Sequence, residues 1–329
     1  MNAISKPDWW VFRGDRQPHP WELPKPPPWR QFTQQARENR GANFEPNDQE
    51  IELVNAALCL CRPLLITGKP GVGKTSLAYA VAHELGLGKV LHWSITTQTT
   101  LEKGLYRYDA IGRLQDASLQ GESGKRPPIG DYLRLGPLGT AFAAVDKPRV
   151  LLIDEIDKSD IDLPNDLLHL FEEGEFEIPE LARLPKDQDT VAILPYEATE
   201  DTLAIPIKRG RVRCTHFPLV VMTSNGEREF PPAFLRRCLQ LEMQLPDEAK
   251  LTRIVQLHLQ DYLKAKPEHE EKIKHLIAAF FNRREQEKAE LAADQLLNAI
   301  YLTLKDIDPE HSYPDKAALV ETLWRSLSP

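Results

Sequence analysis

The sequence predicts an α/β domain built on a doubly wound parallel sheet, followed by an all-α domain. Three observations carry that expectation. Short apolar runs alternate with helical patterns from about residue 48 to 245, as in parallel strands joined by helical crossovers. A glycine-rich loop, Gly68–Thr75, lies between the first of those runs and a helix. Beyond Pro246 the strand-like alternation stops and only amphipathic helical spacing remains.

The first forty residues stand apart. Seven of the 27 prolines fall between Pro7 and Pro28, and four of the six tryptophans are Trp9, Trp10, Trp21 and Trp29. That many prolines exclude helix and favour extended polyproline II. Two uses fit the tryptophans: a strap packed on its own core, or a docking arm for a partner. Aromatic side chains serve both.

Residues 48–61 have helical apolar spacing, with Asp48 as the candidate cap and Pro63 as the stop. Leu64–Thr67 reads as a buried parallel strand by its length and the glycine that bounds it. After the loop, Leu77, Ala78, Val81 and Leu85 share a helical face, and Gly86 ends the helix. Val90–Ile95, Val150–Ile153 and Leu219–Thr223 read as further strands, and Leu239–Leu245 alternates like another. Thr99–Leu105 begins a helix that Tyr106–Leu135 interrupts. Gly174–Phe217 forms a second interruption, in which Glu175–Ile178 and Leu203–Cys214 alternate like hairpin strands. Four helices are expected near 248–264, 268–288, 290–305 and 315–327.

Composition narrows the function classes. The 329 residues leave room for two domains at about 100–200 residues each. Lys and Arg number 41 against 49 Asp and Glu, a formal charge of -8, which argues against a whole-surface footprint for nucleic acid or anionic membrane. No apolar run approaches the roughly 18 residues of a membrane span. Met1–Trp10 lacks the apolar core of a signal peptide. The expectation is a cytoplasmic protein without membrane contact. Cys59, Cys61, Cys214 and Cys238 form no CxxC pair and no zinc spacing, so they are expected as reduced thiols packed as small apolar groups.

Four motifs carry chemistry. Gly68-Lys69-Pro70-Gly71-Val72-Gly73-Lys74-Thr75 fits G-x-x-x-x-G-K-[ST] in strand–loop–helix context. Glycines let backbone N–H groups turn around phosphate oxygens, and the helix N-terminus adds its dipole. Lys74 brings an ammonium for β- and γ-phosphates, and the Thr75 hydroxyl is a hard oxygen for Mg²⁺. Val150–Ile153 then ends in Asp154-Glu155, at the strand end where ligands sit in open α/β sheets. Asp154 can hold the Mg²⁺ shell, and Glu155 can polarise an attacking water. Another strand ends in Ser224-Asn225, where an amide can hold a water or the γ-phosphate, although Ser-Asn-Gly is also a common turn. Finally, Arg236 and Arg237 precede the last alternating strand.

These four features, in this order, resemble the AAA+ ATPases over about residues 44–305. The resemblance implies an AAA+ core: a P-loop NTPase parallel sheet flanked by helices, with two β-hairpin inserts and an all-α C-terminal lid domain. It implies ATP and Mg²⁺ as cofactors, with Walker A at Gly68–Thr75 plus Ser76, and Walker B at Val150–Glu155. Thr75 and Asp154 would hold the metal and Glu155 would be catalytic. Sensor 1 falls on Asn225, and the arginine-finger region on Arg236 and Arg237. No N/TKxD guanine-reading motif occurs. The implied domains are an arm at 1–40, the nucleotide-binding domain at 41–245 with inserts near 106–135 and 174–217, and the lid at 246–329.

The two inserts together resemble the MoxR family and its relatives of McrB type. Where a sensor-2 arginine is usual in the lid, this chain reads Leu291-Ala292-Ala293-Asp294-Gln295, and Gln295 takes that place as a weak sensor. Arg283 and Arg284 are the nearest cations and read as solvated surface. The resemblance implies a homo-oligomeric ring, a hexamer, acting as a chaperone on a separate partner protein, for example one carrying a von Willebrand A domain. A rival reading is a nucleic-acid motor, resting on Lys208, Arg209, Arg211 and Arg213 in one insert and Lys125-Arg126 in the other. A third is a nucleotide-gated scaffold of a defence or signalling complex.

Overall fold

The computed structural model describes residues 9–31, 33, 41–119, 127–286, 290–307 and 319–326. Pro7, the Lys125-Arg126 pair, and 315–318 and 327 of the last expected helix lie outside the described residues. The chain divides into two units, Arg40–Leu245 and a second formed by Met1–Asn39 with Pro246–Pro329. The arm expected as a separate segment is therefore grouped with the C-terminal helices.

In the first unit α1 is Asp48–Leu60, β1 Leu64–Thr67, α2 Lys74–Glu84 and β2 Leu91–Ser94. Then come α3 Leu101–Leu105, β3 Tyr106–Tyr108, α4 Ala110–Leu119, β4 Leu133–Leu135, α5 Pro137–Phe142 and β5 Val150–Asp154. The second insert holds β6 Glu175–Glu177 after α6 Leu163–Glu173, then α7 Pro179–Ala182, β7 Thr190–Ile193, β8 Ile205–Lys208 and β9 Arg211–Arg213. β10 Leu219–Ser224, α8 Pro232–Leu235 and β11 Leu239–Glu242 close the unit.

The main sheet has the order β11-β1-β10-β5-β2, and every pairing is parallel. Its central strands are apolar on both faces because both faces are covered. Period-two alternation sends successive side chains to opposite cores. Leu65, Leu151, Ile153, Val220 and Met222 join Leu138, Phe142, Leu167 and Phe234 on one face. Leu64, Ile66, Val150, Leu152 and Val221 join Val54, Ala57, Leu77 and Ala78 on the other. This sandwich leaves the polar strand ends at one rim, where the candidate site lies.

The cap of α1 is corrected by one residue. Asn47, not Asp48, is the cap: its Oδ1 accepts the Glu50 N–H at 2.9 Å, and Glu50 Oε2 accepts the Asn47 N–H at 2.9 Å. Reciprocal satisfaction of two end donors outweighs the propensity of the adjacent aspartate.

The first insert pairs β3 with β4 antiparallel, Tyr106 opposite Leu135. Between them stands α4, which the expected hairpin did not contain. Its Ile111, Leu114 and Leu119 are exposed, so no burial pattern marks it as a packed helix. The glycine of the Gly-Pro-Leu turn after β4 is packed too tightly for a side chain: a Cβ on Gly136 would lie 2.2 Å from the Gly104 carbonyl oxygen. The second insert is a four-stranded antiparallel sheet, β6-β9-β8-β7, where two hairpin strands were expected. The thiols also differ from expectation. Cys238 is buried, but Cys59 and Cys61 are exposed: α1 turns Cys59 away from the core face occupied by Val54 and Ala57, and Cys61 is the left-handed residue that ends the helix.

The second unit contains α9 Glu248–Ala265, α10 Glu270–Gln286, α11 Ala293–Leu304 and α12 Leu319–Leu323. Leu251, Leu259, Leu276, Phe280, Ile300 and Trp324 form its core. The end of the arm packs here. The Trp29 ring meets Tyr301 edge-on at 5.8 Å and His258 at 6.3 Å, and the Tyr301 hydroxyl donates to the Lys25 carbonyl at 2.8 Å. Farther up the arm, Trp9, Phe12, Trp21 and Leu23 are exposed.

Candidate nucleotide site

β1, β10 and β5 are neighbours, so their C-terminal ends converge at one rim of the sheet. The loop after β1 turns through Gly68, Gly71 and Gly73 at φ of 150°, 77° and 102°, a region that side chains resist. Gly73 then starts α2 with no side chain capping it. The first N–H groups of that helix therefore have no intrahelical partner and suit an anion.

Lys74 is buried, and its Nζ donates to the carbonyls of Gly68 at 2.6 Å and Lys69 at 2.9 Å, and to Asn225 Oδ1 at 2.8 Å. Burial pushes its pKa down, while Asp157, Asp154 and Glu155 pull it partly back. Three oxygens thus surround the ammonium, and phosphate oxygens carry the charge to replace them.

Asp154 is the hub of the cluster. Its Oδ1 accepts from Thr75 Oγ1 at 3.1 Å and from Thr223 Oγ1 at 2.6 Å, and its Oδ2 lies 3.1 Å from His92 Nε2. Burial alone would raise its pKa, but the bonds from His92, Thr223 and Thr75 together hold it below the ordinary range. The group is a carboxylate with a hydroxyl beside it. One carboxylate and one hydroxyl, completed by phosphate oxygens and water, is a donor set that fits Mg²⁺. No cluster of three or more His, Cys, Asp or Glu suited to an all-protein metal cage occurs among the described residues.

Glu155 has left-handed backbone, φ 60°, ψ 50°. Its N–H donates to Thr223 Oγ1 at 2.9 Å, and its carboxylate pairs with Lys158 Nζ at 2.8 Å. Such a backbone costs a non-glycine residue about 1–3 kcal/mol and persists only where its surroundings impose it. Asn225 bridges the strand ends. Its N–H donates to Asp157 Oδ2 at 2.9 Å while its Oδ1 accepts from Lys74. A bare Ser-Asn-Gly turn would not need that side-chain bond.

The remaining predicted positions fare differently. Arg236 is exposed, and its carbonyl accepts from Arg62. Arg237, the other member of the arginine-finger region, pairs with Glu172 and donates to the Ala233 carbonyl. Gln295 does not stand as a free sensor. Its Oε1 accepts the Ala292 N–H at 2.8 Å, and its Nε2 donates to the carbonyls of Leu323 at 3.0 Å and Arg325 at 2.9 Å. Arg283 and Arg284 are not solvated surface either. Arg283 pairs with Glu321, and buried Arg284 donates to the Pro246 carbonyl and stacks over Phe281. Three of the four cations in the basic insert face carboxylates: Arg209 faces Asp189 at 3.9 Å, Arg211 faces Glu177 at 3.8 Å and Arg213 faces Glu175 at 2.8 Å. The fourth, Lys208, is exposed on β8 opposite Thr190.

Sequence reasoning missed His92, Thr223, Asp157, Lys158 and Arg228. His92 and Thr223 reach Asp154 because β2 and β10 flank β5, a neighbour relation that no local pattern encodes. Asp157 and Lys158 were adjacent to a recognised motif, and their charge was the available signal.

The model of the AAA domain (Cdc48 subfamily) matches residues 62–286. No curated protein matches the chain. Similar solved structures include NtrX from Brucella abortus in complex with ATP, at 14% identity and TM-score 0.41, covering 84% of this chain and 54% of that one. Another is PCH-2 of C. elegans, at 14% identity and TM-score 0.43, covering 88% of this chain and 71% of that one. NtrX in complex with ADP matches at 13% identity and TM-score 0.40, over 87% of this chain and 57% of that one. The chain thus spans little more than half the length of the NtrX chains.

Proposed function

We propose, for a chain that belongs to the AAA domain family (Cdc48 subfamily) and is an AAA+ ATPase, that Mg²⁺-dependent ATP hydrolysis in a ring of copies remodels a separate partner protein. The observation that carries the chemical part is the convergence of Lys74, Thr75, Asp154 and Asn225 in one hydrogen-bonded cluster at the strand ends. In this reading the backbone from Gly68 to Ser76 cradles the phosphates, and Lys74 exchanges its carbonyl and amide partners for phosphate oxygens. Thr75 and Asp154 hold Mg²⁺, which supplies charge neutralisation at the phosphates. Glu155 leaves Lys158 to take a proton from water, and Asn225 orients that water or the γ-phosphate.

Kinship to the MoxR group is supported by the paired inserts, the β3–β4 hairpin and the sheet β6-β9-β8-β7. A protein substrate is supported by the exposed Phe12, Trp21 and Leu23 on the arm, residue types that suit protein contacts. A von Willebrand A protein is the partner class that the kinship implies. The nucleic-acid reading is weakened, because Arg209, Arg211 and Arg213 each face a carboxylate that offsets their charge, which leaves Lys208 alone of the four cations without a facing acid among the described residues. Ring formation is supported by Arg236, the exposed member of the arginine pair and the one free to act in trans.

Steady-state ATP turnover and sizing with and without Mg·ATP test this proposal. Lys74→Ala should lose nucleotide binding, and Arg236→Ala subunits mixed with Glu155→Gln subunits should regain turnover at mixed interfaces. A monomer with full turnover at high dilution would overturn the ring. Equal binding by Lys74→Ala and wild type would overturn the site.

A further inference from the structure

Asp157 follows Glu155 by two residues and is 5% exposed. Its Oδ2 accepts two backbone N–H groups, from Asn225 at 2.9 Å and Glu227 at 3.2 Å. A buried carboxylate is costly unless bonded, and bonds to its charge are about twice as strong as neutral ones. This one is bonded through Oδ2 alone to the loop that follows β10, and its buried Oδ1 has no hydrogen-bond partner among the described residues. The same loop is tied once more to the same stretch, through Arg228, which donates to the Ser159 carbonyl at 2.9 Å and to Ser159 Oγ at 3.2 Å. β10 itself is tied to that stretch where the Glu155 N–H donates to Thr223 Oγ1 at 2.9 Å. Asp157 is the tie nearest the chemistry, because it grips the residue whose Oδ1 meets Lys74 Nζ.

We propose that Asp157 is a positioning residue for ATP hydrolysis: its carboxylate fixes the backbone of Asn225, so that the Asn225 amide is aimed where Lys74 holds the γ-phosphate. This rests on the assignment of Lys74 and Asn225 to the phosphates. Asp157 touches neither substrate nor metal and acts through Asn225. Its loss lowers kcat and leaves binding of ADP, which has no γ-phosphate, close to normal.

The test is a cycle of four proteins: wild type, Asp157→Ala, Asn225→Ala and the double variant. Each is measured for ATP turnover and for binding of a fluorescent ADP, with thermal unfolding as a check on folding. Asp157→Ala should lower kcat tenfold or more, with ADP affinity within threefold. The double variant should be no slower than Asn225→Ala, since one residue acts through the other. Asp157→Asn keeps an acceptor for both N–H groups and should restore kcat to within threefold of wild type. A purely structural role would lower ADP affinity and turnover together. Multiplying losses in the double variant would overturn the inference, as would wild-type kcat in Asp157→Ala. If Asp157→Ala does not fold, Asp157→Asn decides alone: a kcat as low as that of Asn225→Ala overturns the backbone clamp. Failure of the underlying assignment looks different, because Asn225→Ala would then turn over ATP like wild type.

Discussion

Two polar clusters in this protein have opposite characters. At the strand ends of the first unit, Lys74, Thr75, Asp154 and Asn225 bond chiefly to one another and to loop carbonyls. In the second unit, Gln295 bonds to the backbone of Ala292, Leu323 and Arg325, Arg284 to the Pro246 carbonyl, and Arg283 to Glu321. Phosphates and a metal can replace the first set of bonds without unfolding an element. The second set ties side chains to helix ends and to a neighbouring helix, so its partners are parts of the fold that a ligand does not supply. A polar residue that is to touch a ligand directly therefore needs partners that the ligand can replace.

The largest expected effect sharpens the first half of that comparison. Glu155→Gln keeps shape and removes basicity, so ATP turnover should fall by about 10²–10⁴ while ATP binding is retained. Single-turnover hydrolysis alongside nucleotide binding measures both. Turnover within a factor of a few of wild type would put the base elsewhere and make the strained backbone of Glu155 a structural feature.

The second prediction tests the other half. Gln295→Ala removes two donor bonds and one acceptor bond at a helix start, which should cost about 1–3 kcal/mol of stability in the second unit. Chemical denaturation reads the cost, and ADP affinity should stay within a factor of two. Gln295→Arg should destabilise as well and should not raise turnover, since an arginine cannot accept the Ala292 N–H. Faster hydrolysis in Gln295→Arg would return this position to the role that the resemblance gave it.

The same contrast explains what the sequence could tell. The strands at 64–67, 150–154 and 219–224 were legible because buried parallel strands are apolar runs of fixed length. Lys74, Thr75, Asp154 and Glu155 were legible because phosphate chemistry restricts both residue type and spacing. The pairing of His92 with Asp154 was not legible, since it needs the knowledge that β2 lies beside β5. Nor was the use of Gln295, whose carbonyl partners lie 28 and 30 residues away on a short terminal helix and its exit. α4 and β7 were missed for other reasons: β7 has only 4 residues, and α4, though 10 residues long, buries none of them.

The smallest expected effect concerns the arm. His258 lies beneath the edge of Trp29, and burial pushes its pKa below the ordinary 6.5. Its surroundings are aromatic, Trp29 with Tyr301 and Tyr262 behind it, and burial among them is the cause of that direction. In the unfolded chain His258 takes a proton at about pH 6.5, whereas in the folded unit it stays neutral to lower pH. The stability tied to neutral His258 is therefore complete above that value. It is lost progressively as the pH falls from 6.5 toward the folded pKa, and the penalty is constant below it. Thermal unfolding of the second unit between about pH 8 and pH 5 should show this acid-side loss. His258→Phe, which keeps an edge for Trp29 and cannot protonate, should flatten it. Trp29→Ala should also flatten it, by opening His258 to water and returning its pKa toward 6.5. If Trp29→Ala leaves the slope unchanged, the burial of His258 owes nothing to the arm, and the arm packs on the helices without being coupled to them.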